Sequence, residues 1–343
     1  MSAVQLTAQP DSRPPAIFLL GPTAAGKTDL AIALVEQLNC EIISVDSAQV
    51  YKGMDIGSAK PDAATLARAP HRLINLRDPA ESYSAGDFRR DALQAMQEIT
   101  AAGKTPLLVG GTSLYYQRLL ASNGNLPASD PLIRQQLETE LQAIGCPALH
   151  QRLAAIDPES AAKIAATDPQ RTLRALELFQ QTGKTRTQLW QEQQAQPQEP
   201  FAWRLLQLGL TPAQRSTLHQ RIEQRFLLML EQGLIAEVEA LRERSDLHLG
   251  LASMRAVGYR QVWQYLDGDF DLTELKARGI AATRQLAKRQ LTWMRSWQHL
   301  NWLQSDHPQL VPLVLAAAAA FVAGELAVGA VEDRLLALNP ALL

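Results

Sequence analysis

The sequence predicts an α/β protein: a parallel sheet with helices on both faces, plus an all-helical insertion domain. Three observations carry this. Short apolar runs at 16–20 (AIFLL), 41–45 (EIISV) and 106–109 (PLLV) are separated by helical patterns at 27–38 and 85–101. The runs lie too far apart for hairpins, so they pair in parallel through crossovers. From 130 to 190 no segment has strand character, which returns only at 203–210.

Taken in order, the polar, Pro-rich start over 1–14 reads as a flexible tail without a secretory pattern. The run at 16–20 is a buried strand ending at a glycine, and a helix follows from Lys27. The helix at 85–101 is closed by Gly103 just past its end. Within the insertion, several short helices are expected, one opened by Asp168-Pro169 and closed at Gly183. From 213 to 296 the chain reads as mostly helical, broken at Gly233, Gly258 and Gly268, with one more short strand at 300–303. The expected divisions are the tail 1–14, a first core part 15–125, the helical insertion 126–200, a core continuation 201–308 and an Ala-rich segment 309–343 to which we assign no role. A membrane span needs about 20 strongly apolar residues. The run at 314–322 is dominated by alanine and Glu325 follows it, so we expect a helix packed on the protein and no membrane partner.

The chain has 343 residues, 46% hydrophobic, enough for a sizeable core. The net charge of -2 excludes a global positive field, so any nucleic-acid contact must come from a local basic patch. The two cysteines, Cys40 and Cys146, are far apart and lack metal spacing, which suits free thiols in the reducing cytoplasm.

Gly21, Pro22, Thr23, Ala24, Ala25, Gly26, Lys27 and Thr28 match GxxxxGK[ST], between a strand and a helix as the motif requires. Glycines let the backbone curl until its N–H groups converge on an anion, and the helix N-terminus adds partial positive charge. Lys27 adds a full charge, and the Thr28 hydroxyl suits Mg²⁺ bridging two phosphates. The expected core is therefore P-loop NTPase-like. The run at 106–109 ends in Gly110-Gly111-Thr112, where an ordinary P-loop NTPase places a metal-holding Asp. The loop thus identifies a diphosphate-like group, and a departing pyrophosphate fits as well as a γ-phosphate donor does.

The second strand leads into Asp46. Ligands of doubly wound sheets bind beyond the carboxyl ends of the strands, which places this carboxylate near the loop. Asp46 suits a general base there, and equally a turn cap. Near the C-terminus, Lys276, Arg278, Arg284, Lys288, Arg289 and Arg295 lie in a stretch free of acidic residues, interleaved with Trp293 and Trp297. Such a stretch attracts backbone phosphates, while the tryptophans are expected to pack.

The motifs GPTAAGKT, SVDSAQVYKGMDIGSAKP and LLVGGTSLYY, followed by DPQRTLRALE, HQRIEQRF, MRAVGYRQVWQYL and ATRQLAKRQLTWMRSW, run collinearly from about residue 16 to about residue 303. In these the chain resembles the bacterial tRNA dimethylallyltransferases (tRNA isopentenyltransferases). The resemblance implies transfer of a dimethylallyl group from dimethylallyl diphosphate to N6 of adenosine 37 beside the tRNA anticodon, with Mg²⁺ as cofactor, by what we expect to be a monomer. By likeness, Asp46 would be the base on the amine, Thr112 would touch the flipped adenine, and Arg225 would reach the diphosphate with Lys27 and Thr28. Contacts to tRNA would come from Asp46, Ser47, Ala48, Gln49, Thr112, Arg134, Gln170, Arg171, Thr172, Leu173, Arg174, Arg255, Gly258, Tyr259, Arg260, Lys288, Arg289, Gln290 and Arg295. The chain departs from the family pattern at Ser113, at 121–125, at 165–167 and at Thr172. Competing readings are a P-loop kinase of a small metabolite, a prenyltransferase of free adenylate, and a nucleotide-gated RNA-binding protein without chemistry.

Overall fold

The computed structural model describes residues 11–121, 126–195 and 200–325, together with 331, 334, 335, 338 and 339. The first ten residues of the expected tail, positions 122–125 of the departing segment and most of the chain beyond 325 lie outside the described residues. Two compact units are formed, one by Met1–Leu119 with Ala202–Leu343, the other by Leu120–Phe201.

The strands are β1 (Pro15–Leu20), β2 (Cys40–Val45), β3 (His71–Arg72), β4 (Thr105–Gly110), β5 (Arg204–Thr211) and β6 (Asn301–Gln304). The helices are α1 (Lys27–Leu38), α2 (Ala63–Arg68), α3 (Ala85–Ala101), α4 (Ser113–Leu120), α5 (Pro131–Ile156), α6 (Pro158–Lys163), α7 (Pro169–Thr182), α8 (Arg186–Ala195), α9 (Arg215–Glu231), α10 (Leu234–Arg242), α11 (Tyr259–Leu266), α12 (Leu272–Arg295) and α13 (Leu310–Val322).

In the first unit the described strands form one parallel sheet in the order β3-β2-β4-β1-β5-β6. Alternation along β1 shows how both faces are covered. Ile17 and Leu19 join α1 and α13 in a cluster with Leu34, Val314 and Phe321. Phe18 points the other way and meets the Tyr116 ring of α4 at 5.1 Å between centroids. A strand covered on both faces is apolar throughout, which is why β1 reads as a continuous run. Ser84 closes a capping box with Asp87 that starts α3 where the sequence predicts it.

The Ala-rich segment acquires a role as the helix covering one sheet face. Arg204 donates to the last carbonyls of α13, Phe321 O and, at 2.9 Å, Val322 O, and its guanidinium lies over the Phe321 ring. Among the described residues no helix is long and apolar enough to cross a membrane.

One expectation needs correction. The region 243–258, expected to be mostly helical, is a series of turns. Its side chains bind elsewhere: Arg244 pairs with Asp78 at 2.6 Å, and the Ser253 hydroxyl donates to Pro79 O at 2.6 Å. In the second unit the span of α5 is two shorter helices meeting at the non-helical Gly145 (φ 79°), just ahead of Pro147, as the expected series of short helices requires. Asp130, Asp157 and Asp168 each cap a helix with proline in its first turn, around a core including Leu137, Leu149, Leu153 and Leu176.

Candidate active site

The phosphate loop is shaped by its neighbours. A Cβ on Gly21 would sit 2.7 Å from Leu210 O on the adjoining strand, so the loop leaves β1 only through a glycine. Ala24 (φ 63°) and Gly26 (φ 91°) are both left-handed, which turns the backbone into the start of α1. The Lys27 ammonium donates to Gly21 O at 2.8 Å and Pro22 O at 2.9 Å. The Lys27 pKa is lowered to about 8, chiefly by burial and then by Arg225, with Asp46 opposing both. Thr28, next along, is exposed.

Asp46 and Thr112 meet through sheet register. Val45 pairs with Gly110, and a Cβ on Gly110 would lie 2.0 Å from Val45 O, so only glycine lets β2 and β4 close there. The residues beyond both strands therefore emerge side by side. The Thr112 amide donates to Val45 O at 3.2 Å, and its hydroxyl accepts the Ser47 amide at 3.2 Å. Asp46 Oδ1 accepts the amides of Ala48 at 2.8 Å and Gln49 at 3.3 Å. Among the described residues no hydrogen bond engages its Oδ2. The base and cap readings of Asp46 thus use different oxygens.

Arg225, on α9, faces the same charges. Burial lowers its pKa and Asp46 partly restores it. Lys27, Asp46, Thr112 and Arg225 line one cavity of about 1520 Å³, with Tyr51, Tyr83, Tyr115 and Phe226 among its apolar walls. Two cations against one carboxylate leave a site prepared for an anion.

Several residues expected to contact tRNA already have partners within the protein, and of these Gln49, Gly258 and Gln290 also line the cavity. Both polar ends of the Gln290 side chain are engaged: Oε1 accepts the Thr23 amide at 3.0 Å and Nε2 donates to Gly111 O at 3.0 Å. Tyr259 is fully buried and Gly258 is buried beside it. Gln49 accepts from the Ser44 hydroxyl at 2.9 Å and donates to Ala59 O at 3.2 Å. In the second unit Thr172 and Leu173 lie on the buried face of α7, Arg174 pairs with Glu177 at 2.9 Å, and Arg134 pairs with Glu138 at 2.8 Å.

Ser47, Gln170, Arg171, Arg255, Arg260, Lys288, Arg289 and Arg295 are exposed, and Ala48 is half-buried. The acid-free stretch finds its counter-charges outside itself: Arg278 pairs with Glu274 at 2.6 Å and Arg284 with Glu223 of α9 at 2.8 Å. Trp293 and Trp297 pack together at 4.4 Å, and the Trp297 indole donates to Gln207 at 2.5 Å.

Sequence reasoning missed two side chains that hold the cavity wall. Glu237 of α10 accepts the amides of Asp55 (3.0 Å), Ile56 (2.7 Å) and Gly57 (3.2 Å) and the Tyr259 hydroxyl (2.6 Å). Lys60 donates to Tyr51 O, Asp55 and Asn75 at 2.6–2.7 Å. The KP dipeptide was visible as part of a longer motif, but Glu237 had no local signal because the three amides it accepts lie about 180 residues away.

Comparison with known proteins agrees with this geometry. The family model described as IPP transferase matches residues 49–297. A tRNA isopentenylpyrophosphate transferase from Bacillus halodurans is 35% identical, over 94% of this chain and 98% of that one, with a TM-score of 0.64. A tRNA delta(2)-isopentenylpyrophosphate transferase from Staphylococcus epidermidis is 34% identical, over 92% and 100%, at 0.65. A eukaryotic dimethylallyltransferase acting on tRNA is 25% identical, over 90% and 80%, at 0.77. With the family model matching most of the sequence and two relatives above a third identical along nearly their whole length, the chain belongs to the IPP transferase family.

Proposed function

We propose that the chain transfers a dimethylallyl group from dimethylallyl diphosphate to the N6 amine of the adenine beside the tRNA anticodon, releasing pyrophosphate. The observation that carries this reading is the sharing of one cavity by the phosphate loop, the cations Lys27 and Arg225, and the carboxylate of Asp46.

In the reaction the bond from the dimethylallyl carbon to the diphosphate oxygen breaks, and its electron pair leaves with the diphosphate. The loop amides, the α1 N-terminus, Lys27 and Arg225 neutralise that growing charge. Lys27 exchanges its two carbonyl partners for phosphate oxygens. A new carbon–nitrogen bond forms at N6, and the amine proton passes to Asp46 Oδ2. The two amides on Oδ1 fix the plane of that carboxylate. The Thr112 hydroxyl, already accepting the Ser47 amide, keeps its own O–H to donate to the base. An exocyclic amine is a weak nucleophile, so this alignment carries much of the rate. Unstacking the adenine costs a few kcal/mol in a duplex and less in a loop.

Thr28, exposed at the start of α1, offers a hard oxygen of the kind Mg²⁺ takes alongside phosphate oxygens and waters. When bound, the ion would neutralise part of the diphosphate charge. For tRNA, we assign the exposed Arg255, Arg260, Lys288, Arg289 and Arg295 on the first unit, and Gln170 and Arg171 on the second. We place the enzyme in the cytoplasm, whose reducing conditions suit the free thiols Cys40 and Cys146, and take it as a monomer, because Lys27, Asp46, Thr112 and Arg225 all come from one unit of one chain.

Unmodified tRNA incubated with the protein, Mg²⁺ and dimethylallyl diphosphate, then digested and read by mass spectrometry, should yield prenylated adenosine. Phosphate transfer from ATP to a small hydroxyl compound would favour the kinase reading instead. Tight tRNA binding with no product in either arm would leave an RNA-binding protein without chemistry.

A further inference from the structure

The amide of Gln290 spans two loops that approach each other at the cavity floor. Its Oε1 takes the Thr23 amide of the phosphate loop, and its Nε2 reaches Gly111 O at the end of β4, each at 3.0 Å. The fit leaves no slack, since a Cβ on Gly111 would come 2.3 Å from Nε2 and 3.0 Å from Gly21 O. An amide is the side chain this geometry demands, because one end must accept and the other donate. The same helix, α12, carries the exposed Lys288 and Arg289 two residues and one residue earlier.

We infer that Gln290 is a positioning residue for the diphosphate rather than a contact for RNA, clamping the phosphate loop to the Gly110-Gly111-Thr112 turn. This inference rests on the diphosphate reading of the loop. With the Thr23 amide on Gln290 and the Ala25 amide on Pro22 O at 3.3 Å, the loop amides left to a phosphate are those of Ala24 (φ 63°) and Gly26 (φ 91°), leading into the start of α1. Releasing the clamp frees Thr23 to rotate and lets the loop move relative to Asp46 and Thr112, which follow from β2 and β4.

The test uses the full-length protein and inorganic pyrophosphate as probe, with tRNA binding measured in parallel. Gln290→Leu removes both bonds. It should weaken pyrophosphate binding about tenfold, near the upper range for losing a hydrogen-bonded partner, and leave tRNA affinity within about twofold. Gln290→Glu keeps the acceptor and loses the donor only when ionised. Its protonated form restores O–H donation to Gly111 O. Its affinity relative to wild type should therefore recover as pH falls through the new carboxyl group's titration, a profile that simple loss of stability does not produce. Weakened tRNA binding with unchanged pyrophosphate binding would overturn the inference, as would a Gln290→Glu ratio independent of pH. If the wild-type protein itself fails to bind pyrophosphate, the diphosphate reading fails and not the clamp alone.

Discussion

The Tyr259 hydroxyl donates to Glu237 Oε1 at 2.6 Å, and that carboxylate also gathers three consecutive amides of the 55–57 turn. A loop lining the active cavity is thereby fastened to α10 and α11. Glu237 also raises the Tyr259 pKa, after the larger effect of burial. Tyr259→Phe should destabilise the protein by about 2 kcal/mol in urea unfolding, the range for a hydrogen bond to a charged group. Titration with tRNA should show unchanged affinity. Weaker tRNA binding at unchanged stability would return Tyr259 to the RNA surface.

Lys27 predicts the alkaline limb of the pH profile. A diphosphate binds the protonated lysine, whose pKa in the free protein is lowered to about 8, first by burial and then by Arg225. Donor affinity should therefore be full below pH 8 and decline as pH rises through it. kcat/KM for the donor, measured from pH 6.5 to 9.5, tests this. Lys27→Met should lower the whole profile and abolish the inflection. An inflection that survives in Lys27→Met belongs to another group.

How far the fold was legible follows from where each signal lay. Helix α1 was bounded by its own loop and α3 by a capping box and a following glycine, so both could be placed from neighbouring residues. Strands β1, β2 and β4 announced themselves because they are almost wholly buried, whereas β3, two half-buried residues, offered no apolar run and was not expected. The turns over 243–258 were not legible, since the bonds holding them reach back to Asp78 and Pro79. Likewise the basic stretch on α12 looked unopposed until folding brought Glu223 beside Arg284. The carboxylate of Asp46 was legible by its position past a strand, but its division between cap and open oxygen depends on how the chain turns over 46–49.

Thr172 was expected to meet RNA, and it stands where the family favours an apolar residue. It is fully buried, and its hydroxyl is without a hydrogen-bond partner among the described residues. Thr172→Val removes that unsatisfied group at nearly constant shape, so the variant should gain about 1 kcal/mol in thermal or urea unfolding. A loss of stability would show that the hydroxyl has a partner, such as an ordered water.

The basic face of α12 divides into paired and exposed charges. Lys288→Ala with Arg289→Ala should lower the slope of log K against log salt for tRNA binding by about 1.5, the release expected for two phosphate contacts. Arg284→Ala, which loses its Glu223 partner, should change that slope far less. Equal slope changes for both variants would mean that the Arg284 pair opens on RNA.

The most direct test of the mechanism is the single-turnover rate of Asp46→Asn at saturating donor and tRNA, alongside the donor's Kd. The variant should still bind the donor near wild-type affinity and transfer the dimethylallyl group about 10²–10⁴-fold more slowly. A rate within a few-fold of wild type would reduce Asp46 to a turn cap and contradict its role as the base.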